Sequence, residues 1–331
     1  MKTPVITIPG AWRRFRGNRS ARAGLFLLGL LSILALGGLP FSIRWYNTQA
    51  LDRAVRLPPA FEPSVPLDRF TETPETSPGR GASVAHRMTS WLGHDDLGRS
   101  LLFRLLLALL ISLGIGLAAA TLTVLIGTTW GAVAALVGGR LDFVLMRFVD
   151  VLYGLPYTLL IILMKVGLTR PVSSLLGFHQ AATDMVILFT AIGSVSWLTM
   201  ARVIRGQVLS LKSQPFVDAA RAAGAGPGRI LFRHLLPNLA GPIVVYATLA
   251  VPQAILQESF LSFLGIGIRP PIPSLGRLAS EGVFAVNGYV SYWWLLLYPC
   301  GTLFLTLLAL NFVGDGLRDA VDPKSTSALV V

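Results

Sequence analysis

The sequence predicts an all-α polytopic membrane protein with about six transmembrane helices. Three observations predict it: the composition, a series of long runs without charge, and the placement of Lys and Arg between them. Of 331 residues, 53% are hydrophobic and only 13% are charged, and the mean hydropathy is +0.65. Soluble domains carry roughly 25% charged residues. This balance excludes an ordinary cytosolic enzyme, a disordered chain and a nucleic-acid-binding domain. The net charge of +12 is then best placed in basic cytoplasmic loops. The single cysteine, Cys300, lies in an apolar run, which excludes an internal disulfide and a Cys-based metal cluster.

The elements follow in order. Gly24–Ile43 is 20 residues without a charge, Leu105–Gly139 is 35, Met185–Ala201 is 17, His234–Gln257 is 24 and Gly282–Gly314 is 33. Phe148–Met164 is apolar apart from Asp150. A span needs about 20 apolar residues, so spans are expected at 24–43, 106–136, 143–168, 184–204, 239–262 and 293–313. The 35-residue run predicts one long tilted helix, or a span with a surface extension. Residues 1–23 are basic, and the run 24–43 is too long for a signal-peptide core and lacks a small-x-small cleavage site. It reads as an uncleaved signal anchor. Residues 44–104 then form an extracytoplasmic loop, 105–314 a permeating core with a cytoplasmic loop at about 205–238, and 315–331 a cytoplasmic tail.

Orientation follows from the cations. With the N-terminus in the cytoplasm, 16 of the 28 Lys and Arg face inward and three (Arg170, Arg269, Arg277) lie in the two short outer loops. Seven lie in 44–100, and long loops cross largely regardless of charge. Arg104 and Lys165 sit at span ends, where snorkelling is expected. Both termini are expected inside.

Two soluble segments stand out. The outer loop begins as a Pro-rich spacer (Pro58, Pro59, Pro63, Pro66, Pro74, Pro78) and changes at Trp91–Arg99. That Trp/Gly/Asp cluster fits an ordered cap on the next helix, or a contact for a substrate-delivery partner. The second segment runs from Leu211 to Asn238. Pro215 suits the first turn of a helix, the alanines favour helix with little bulk, and Gly224 stands where positive φ ends it. Pro227 opens a second short helix and Pro237 enters span five. A small-residue helix carrying Phe216 and Asp218 fits a groove in another protein, or equally the lipid surface.

Other polar residues divide similarly. Arg147 and Asp150, three apart, share a helix face and fit an internal ion pair, or a place on the pathway or an interface. Glu258, beside Gln257 and Ser259 near the outer end of span five, fits an interface or cap, or the translocation path. Lys165 fits a snorkelling anchor or a substrate-carboxylate site. Trp293, Trp294 and Tyr298 fit an interfacial belt. His86, His94, His179 and His234 are scattered over loops and form no metal site by spacing, and no catalytic constellation emerges.

Asp218-Ala219-Ala220, with Gly224 four residues on and Leu236-Pro237 closing the run, resembles the EAA motif of ATP-binding-cassette importer permeases, with Asp218 where Glu is usual. The resemblance extends over about 90–324. Leu92–Arg99, Gly139-Arg140-Leu141-Asp142 with Met146-Arg147, Leu261–Gly265 with Pro270-Pro271, and Gly314–Ala320 with Asp322-Pro323 are similar to the dipeptide/oligopeptide/nickel permease branch. The chain is identified as a C-type permease subunit of that family. This implies the type I importer permease fold and the cytoplasmic (inner) membrane of a bacterium or archaeon. It implies no enzyme activity, no cofactor and no nucleic acid. The implied partners are a second homologous permease, two cytoplasmic ATPases and an extracytoplasmic solute-binding protein. A P-loop needs G-x-x-x-x-G-K-[ST], which this chain lacks, so ATP is handled by partners. The resemblance also implies that Pro215, Phe216, Asp218, Ala219, Ala220, Gly224, Arg229 and Pro237 couple the permease to the ATPases. Peptides lead as cargo, with nickel, glutathione and sugar-peptide conjugates open. The rival reading, an ion-coupled secondary transporter, calls for internal repeats and broken helices around midplane polar groups. An intramembrane protease calls for an embedded Ser/His or Asp pair. Neither pattern is present.

Overall fold

A computed structural model describes residues 8–49, 59, 91–177, 180–286 and 291–321. The remaining outer-loop prolines, His86, His179 and the Asp322-Pro323 pair lie outside the described residues. The described chain is helical: α1 (Ile8–Gly17), α2 (Arg19–Gly37), α3 (Leu39–Trp45), α4 (Leu101–Val137), α5 (Gly139–Tyr153), α6 (Tyr157–Leu176), α7 (Gln180–Lys212), α8 (Pro215–Ala222), α9 (Pro227–Ile230), a π-turn (Leu231–Leu235), α10 (Leu236–Phe263), α11 (Leu275–Ala285) and α12 (Trp294–Val321).

Five helical stretches are long and apolar enough to span a membrane, in α2, α4, α7, α9–α10 and α12. Of the 35-residue run, Leu105–Val137 belongs to one continuous helix, α4, and Gly138 and Gly139 begin the next. The span expected at 143–168 is instead two helices, α5 and α6, bent by 91°. Pro156 causes the break. It disfavours helical backbone at Leu155 by steric clash and itself adopts ψ 116°, so the helix does not continue through it. The first span is also shorter than expected. It ends at Gly37, and Pro40 opens the separate α3. The last helix runs on to Val321, so Gly314–Ala320 is helical.

Among the described residues the chain forms two compact units, one from 1–28, 115–257 and 307–331, the other from 29–114 and 258–306. In the first, α4 crosses α7 with almost no side chain between them. A Cβ at Gly131 would lie 2.3 Å from the Ala201 carbonyl oxygen, and one at Gly127 would lie 2.5 Å from Met200 Cβ. Without water to exclude, such small-residue contacts are how membrane helices gain packing.

In the second unit, Leu101, Leu105, Leu109, Leu275, Leu278 and Trp294 are buried. Several sequence expectations are corrected here. Arg104 does not snorkel: it is 2% exposed and binds the carboxylates of Asp95 and Glu281, the latter at 2.8 Å. Its charge is matched within the protein because Asp95 is brought back by a tight turn. Gly93 and Gly98 adopt φ +84° and +68°, and Asp95 accepts from the Leu97 and Arg99 amides at 2.9 Å. Within this cap Trp91 is exposed, and Leu92 does the packing. Trp294 is core rather than belt, held edge-on by Tyr292 and Trp293. In the first unit, Lys165 is likewise buried rather than extended to a boundary.

Candidate functional site

The elbow 213–235 is built by its own sequence. Gln214 is extended, Pro215 starts α8, and Ala223 caps it. Gly224, at φ +81°, lets the chain reverse. The Ala225 amide reaches the Ala220 carbonyl at 3.0 Å and the Gly224 amide reaches Arg221 at 2.9 Å. This pairing satisfies the end carbonyls of α8 in a Schellman motif. Pro227 then opens α9, and Pro237 lies in the first turn of α10.

One face of the elbow is locked. Val217, Ile230, Leu235 and Leu239 are buried with Ala132, Ala135, Met200, Ile204 and Val208 of α4 and α7. Lys212 Nζ donates to the Ala135 and Leu136 carbonyls at 3.0 and 2.8 Å, closing the C-terminus of α4. The opposite face is open. Asp218, Ala219, Ala222, Gly224, Arg229 and Arg233 are exposed, and Phe232 is 72% exposed.

This divides the coupling residues expected from the sequence. Asp218, Ala219, Gly224 and Arg229 share the open face, whereas Phe216 and Ala220 pack on the inner cluster. Phe232 was missed. Its signal lay in the apolar stripe: Ile230, Leu235 and Leu239 go inward, and Phe232 falls off that line. Asp218 is held by Arg221 at 3.0 Å.

Beside the elbow, Arg205 grips Asp142 with two bonds of 2.6 and 2.7 Å, tying α7 to α5. Asp150 is bound by Arg202 at 2.8 Å rather than by Arg147 on its own helix. The Arg202 guanidinium also lies 4.0 Å from the centre of the Tyr153 ring. Arg147 lines a cavity of about 510 Å³ with these groups.

The structure separates Gln257 from Glu258. Gln257 lines a cavity of about 410 Å³ with Thr123, Tyr157, Ser196, Thr199, Tyr246 and Gln253. Tyr157 and Ser196 share a 2.6 Å hydrogen bond there. None of the residues lining it is charged, so its polar groups are hydroxyls and amides, set beside Met200, Leu249 and Ala250. Glu258 is fully buried in the second unit, where it accepts from Ser112 Oγ at 2.8 Å and Ser262 Oγ at 2.7 Å. Ser112 also accepts from the Leu275 amide at 3.3 Å. Glu258 thus joins α4, α10 and the start of α11.

Comparison with known proteins bears on the family and the fold. Residues 127–327 match the family described as binding-protein-dependent transport system inner membrane component. Residues 10–59 match the N-terminal transmembrane domain of oligopeptide transport permease C. The oligopeptide transport system permease protein OppC of Bacillus subtilis is 38% identical over 314 residues, covering 95% of this chain and 88% of that protein. The dipeptide transport system permease protein DppC of the same organism is 39% identical, covering 95% and 85%. The glutathione transport system permease protein GsiD of Pectobacterium atrosepticum is 36% identical, covering 96% and 91%. Among solved structures, the inward-facing MetNI methionine ABC transporter aligns with a TM-score of 0.53 at 17% identity, over 66% of this chain and 97% of that one. The fold is therefore that of an ABC importer permease.

Proposed function

The chain belongs to the family of binding-protein-dependent transport system inner membrane components, as a multi-pass permease of its peptide-transport branch. From that premise we propose that it pairs with a second, homologous permease to line the pathway of an importer for oligopeptides. An extracytoplasmic binding protein delivers the cargo, and two cytoplasmic ATPases drive the cycle. The observation that carries this reading is the two-faced elbow. Its inner face is locked to α4 and α7, so it moves with them. Its outer face offers small residues, one open aromatic ring and arginines, which suits a groove in another protein.

In this scheme closure of the ATPases pushes the elbow, and α4 and α7 convey the motion to the spans. The uncharged cavity lined by Tyr157, Ser196, Gln253 and Gln257 lies on the cargo's route. Hydroxyl and amide groups there pair with peptide groups without selecting a side-chain charge. The arginine asymmetry supports an orientation with the elbow and both termini in the cytoplasm and the Trp91–Arg99 turn outside, facing the binding protein. The acid Glu258 serves as a structural tie, and Arg147 and Asp150 line the cytoplasmic side of α5.

The test uses the complete importer in vesicles. Gly224→Val puts a branched side chain at positive φ, a strain of about 1–3 kcal/mol, and Ala219→Trp blocks the open face. Both variants are expected to accumulate normally and to lose uptake together with the ATP hydrolysis that depends on the binding protein. Full uptake in both would remove the elbow from coupling. Uptake driven by an ion gradient without ATP would establish the ion-coupled rival. In a Cys300→Ser background, a cysteine at residue 225 is expected to be shielded from an impermeant maleimide in right-side-out vesicles, and one at the exposed Trp91 position to be labelled.

A further inference from the structure

We propose that Gln253 and Gln257 of α10 are specificity-determining residues, whose neutral carboxamides keep the importer indifferent to the charge of its cargo. The inference rests on the peptide-import reading above and adds to it the residues that set selectivity. Tyr246, Leu249, Ala250, Gln253 and Gln257 line the cavity of about 410 Å³. Their spacings of three and four put them on one face of α10. Thr123 of α4 and Ser196 and Thr199 of α7 line it too.

Thr123, Ser196 and Ala250 fall near the middle of α4, α7 and α10, so the cavity lies at hydrocarbon depth. No Lys, Arg, Asp or Glu occurs in 105–139, 185–201 or 235–257. Glu258, next in sequence after the stripe, does not line the cavity and is bonded to Ser112 and Ser262.

The polar groups around the cavity are left open by their own helices. In the same α4, α7 and α10, Thr121, Thr129, Thr190 and Thr248 each donate to the carbonyl four residues back, at 2.6–2.8 Å. That back-bond absorbs a hydroxyl within a helix. Among the described residues Thr123 and Thr199 make no such bond, and the carboxamides of Gln253 and Gln257 meet no protein partner. Polar groups held open at this depth carry a cost that a polar ligand relieves. A carboxamide both donates and accepts, which matches the C=O and N–H of a peptide bond. It carries no formal charge. A charge in this low-dielectric setting would act strongly on a passing side chain, and its absence lets lysine-bearing and glutamate-bearing cargo pass alike.

The complete importer is reconstituted in vesicles with ATP, and its binding protein is saturated with Ala-Lys-Ala or Ala-Glu-Ala. Saturation removes the binding protein's own preference from the comparison. The wild type is expected to import the two peptides at rates within about twofold of each other. Gln253→Glu and Gln257→Glu are expected to shift the ratio about tenfold or more toward the lysine peptide, and Gln253→Lys about tenfold or more toward the glutamate peptide. Gln253→Met, which removes the carboxamide without adding charge, is expected to slow both alike. Where a charged variant does not accumulate, Gln253→Cys in the Cys300→Ser background is assembled first and then modified. A cationic and an anionic methanethiosulfonate are expected to move the ratio in opposite directions. ATP-driven import by the wild type with a ratio that no charged form moves would overturn this inference alone, as would a wild type that already discriminates by charge. A wild type that imports neither peptide would refute the peptide-import reading and this inference with it.

Discussion

Phe232→Ala isolates the open face of the elbow from its locked face. Phe232 is 72% exposed, so only about a quarter of its surface is covered by its own chain. A phenylalanine buries roughly 150–250 Å² when enclosed. The covered part is then about 50 Å², which at about 25 cal/mol per Å² is near 1 kcal/mol of stability. If the ring fills a groove in an ATPase, truncation removes a buried aromatic anchor, which costs about 2 kcal/mol or more of docking. At 1.4 kcal/mol per tenfold, that weakens association by roughly 30-fold. Val217→Ala is the converse control. Val217 is fully buried under the elbow, so its truncation costs the permease about 2 kcal/mol and leaves the open face chemically intact. The assays are thermal unfolding of the purified permease pair, titration of the ATPases onto that pair in nanodiscs, and uptake in vesicles. Phe232→Ala is expected to unfold almost normally, bind ATPase poorly and transport slowly. Normal ATPase affinity in Phe232→Ala would refute the assignment of this face to docking.

Gly131→Ala drives a methyl against the Ala201 carbonyl oxygen at 2.3 Å, where neither backbone can yield. A loss of about 1–3 kcal/mol is expected in detergent unfolding. Gly114→Ala in the same helix meets nothing within 4 Å and is expected to stabilise by about 0.5–1 kcal/mol. If the two shift stability alike, the close crossing of α4 and α7 is wrong. Arg104→Met leaves the buried Asp95 with Arg99 as its side-chain cation and Glu281 with Arg277. It is expected to cost about 3–5 kcal/mol, read as a lowered unfolding temperature and faster proteolysis near residue 95. An unchanged melting profile would show that Arg104 is not the tie of that unit.

The parts of this fold that sequence made legible are those written in local chemistry. Charge-free runs located the helices. Pro215, Gly224 and Pro227 marked the elbow, because a fixed φ, a positive φ and a missing amide act on the backbone where they stand. The bend at Pro156 carried the same kind of mark, but counting charges ignores breaks that the surrounding fold tolerates. What stayed hidden were pairings between distant positions. Arg104 lies 177 residues from Glu281, so its place at a span end suggested a lipid boundary. Asp150 finds Arg202 across 52 residues, and the neighbour at Arg147 gave no hint of it. Gln257 and Glu258 are adjacent in sequence yet face different surroundings, since successive residues on a helix point about 100° apart. Phe216, expected outward, packs inward, and Phe232 stands open instead, because only the packed cluster decides which ring turns in.

The distribution of proline among the long helices has a mechanical consequence. α6, α10 and α12 carry proline in their interiors, at Pro171, Pro242, Pro252 and Pro299. α4 and α7, of 37 and 33 residues, carry none and extend for about 55 and 50 Å at 1.5 Å per residue. Sharp bends in helices are almost always found at proline or another local defect. α4 and α7 therefore act as two stiff spars lashed together at their glycines, with Lys212 clamping the foot of one to the end of the other. On the proposed coupling role, a thrust at the elbow would pass along them with little bowing, and the proline-bearing helices would be the ones to flex.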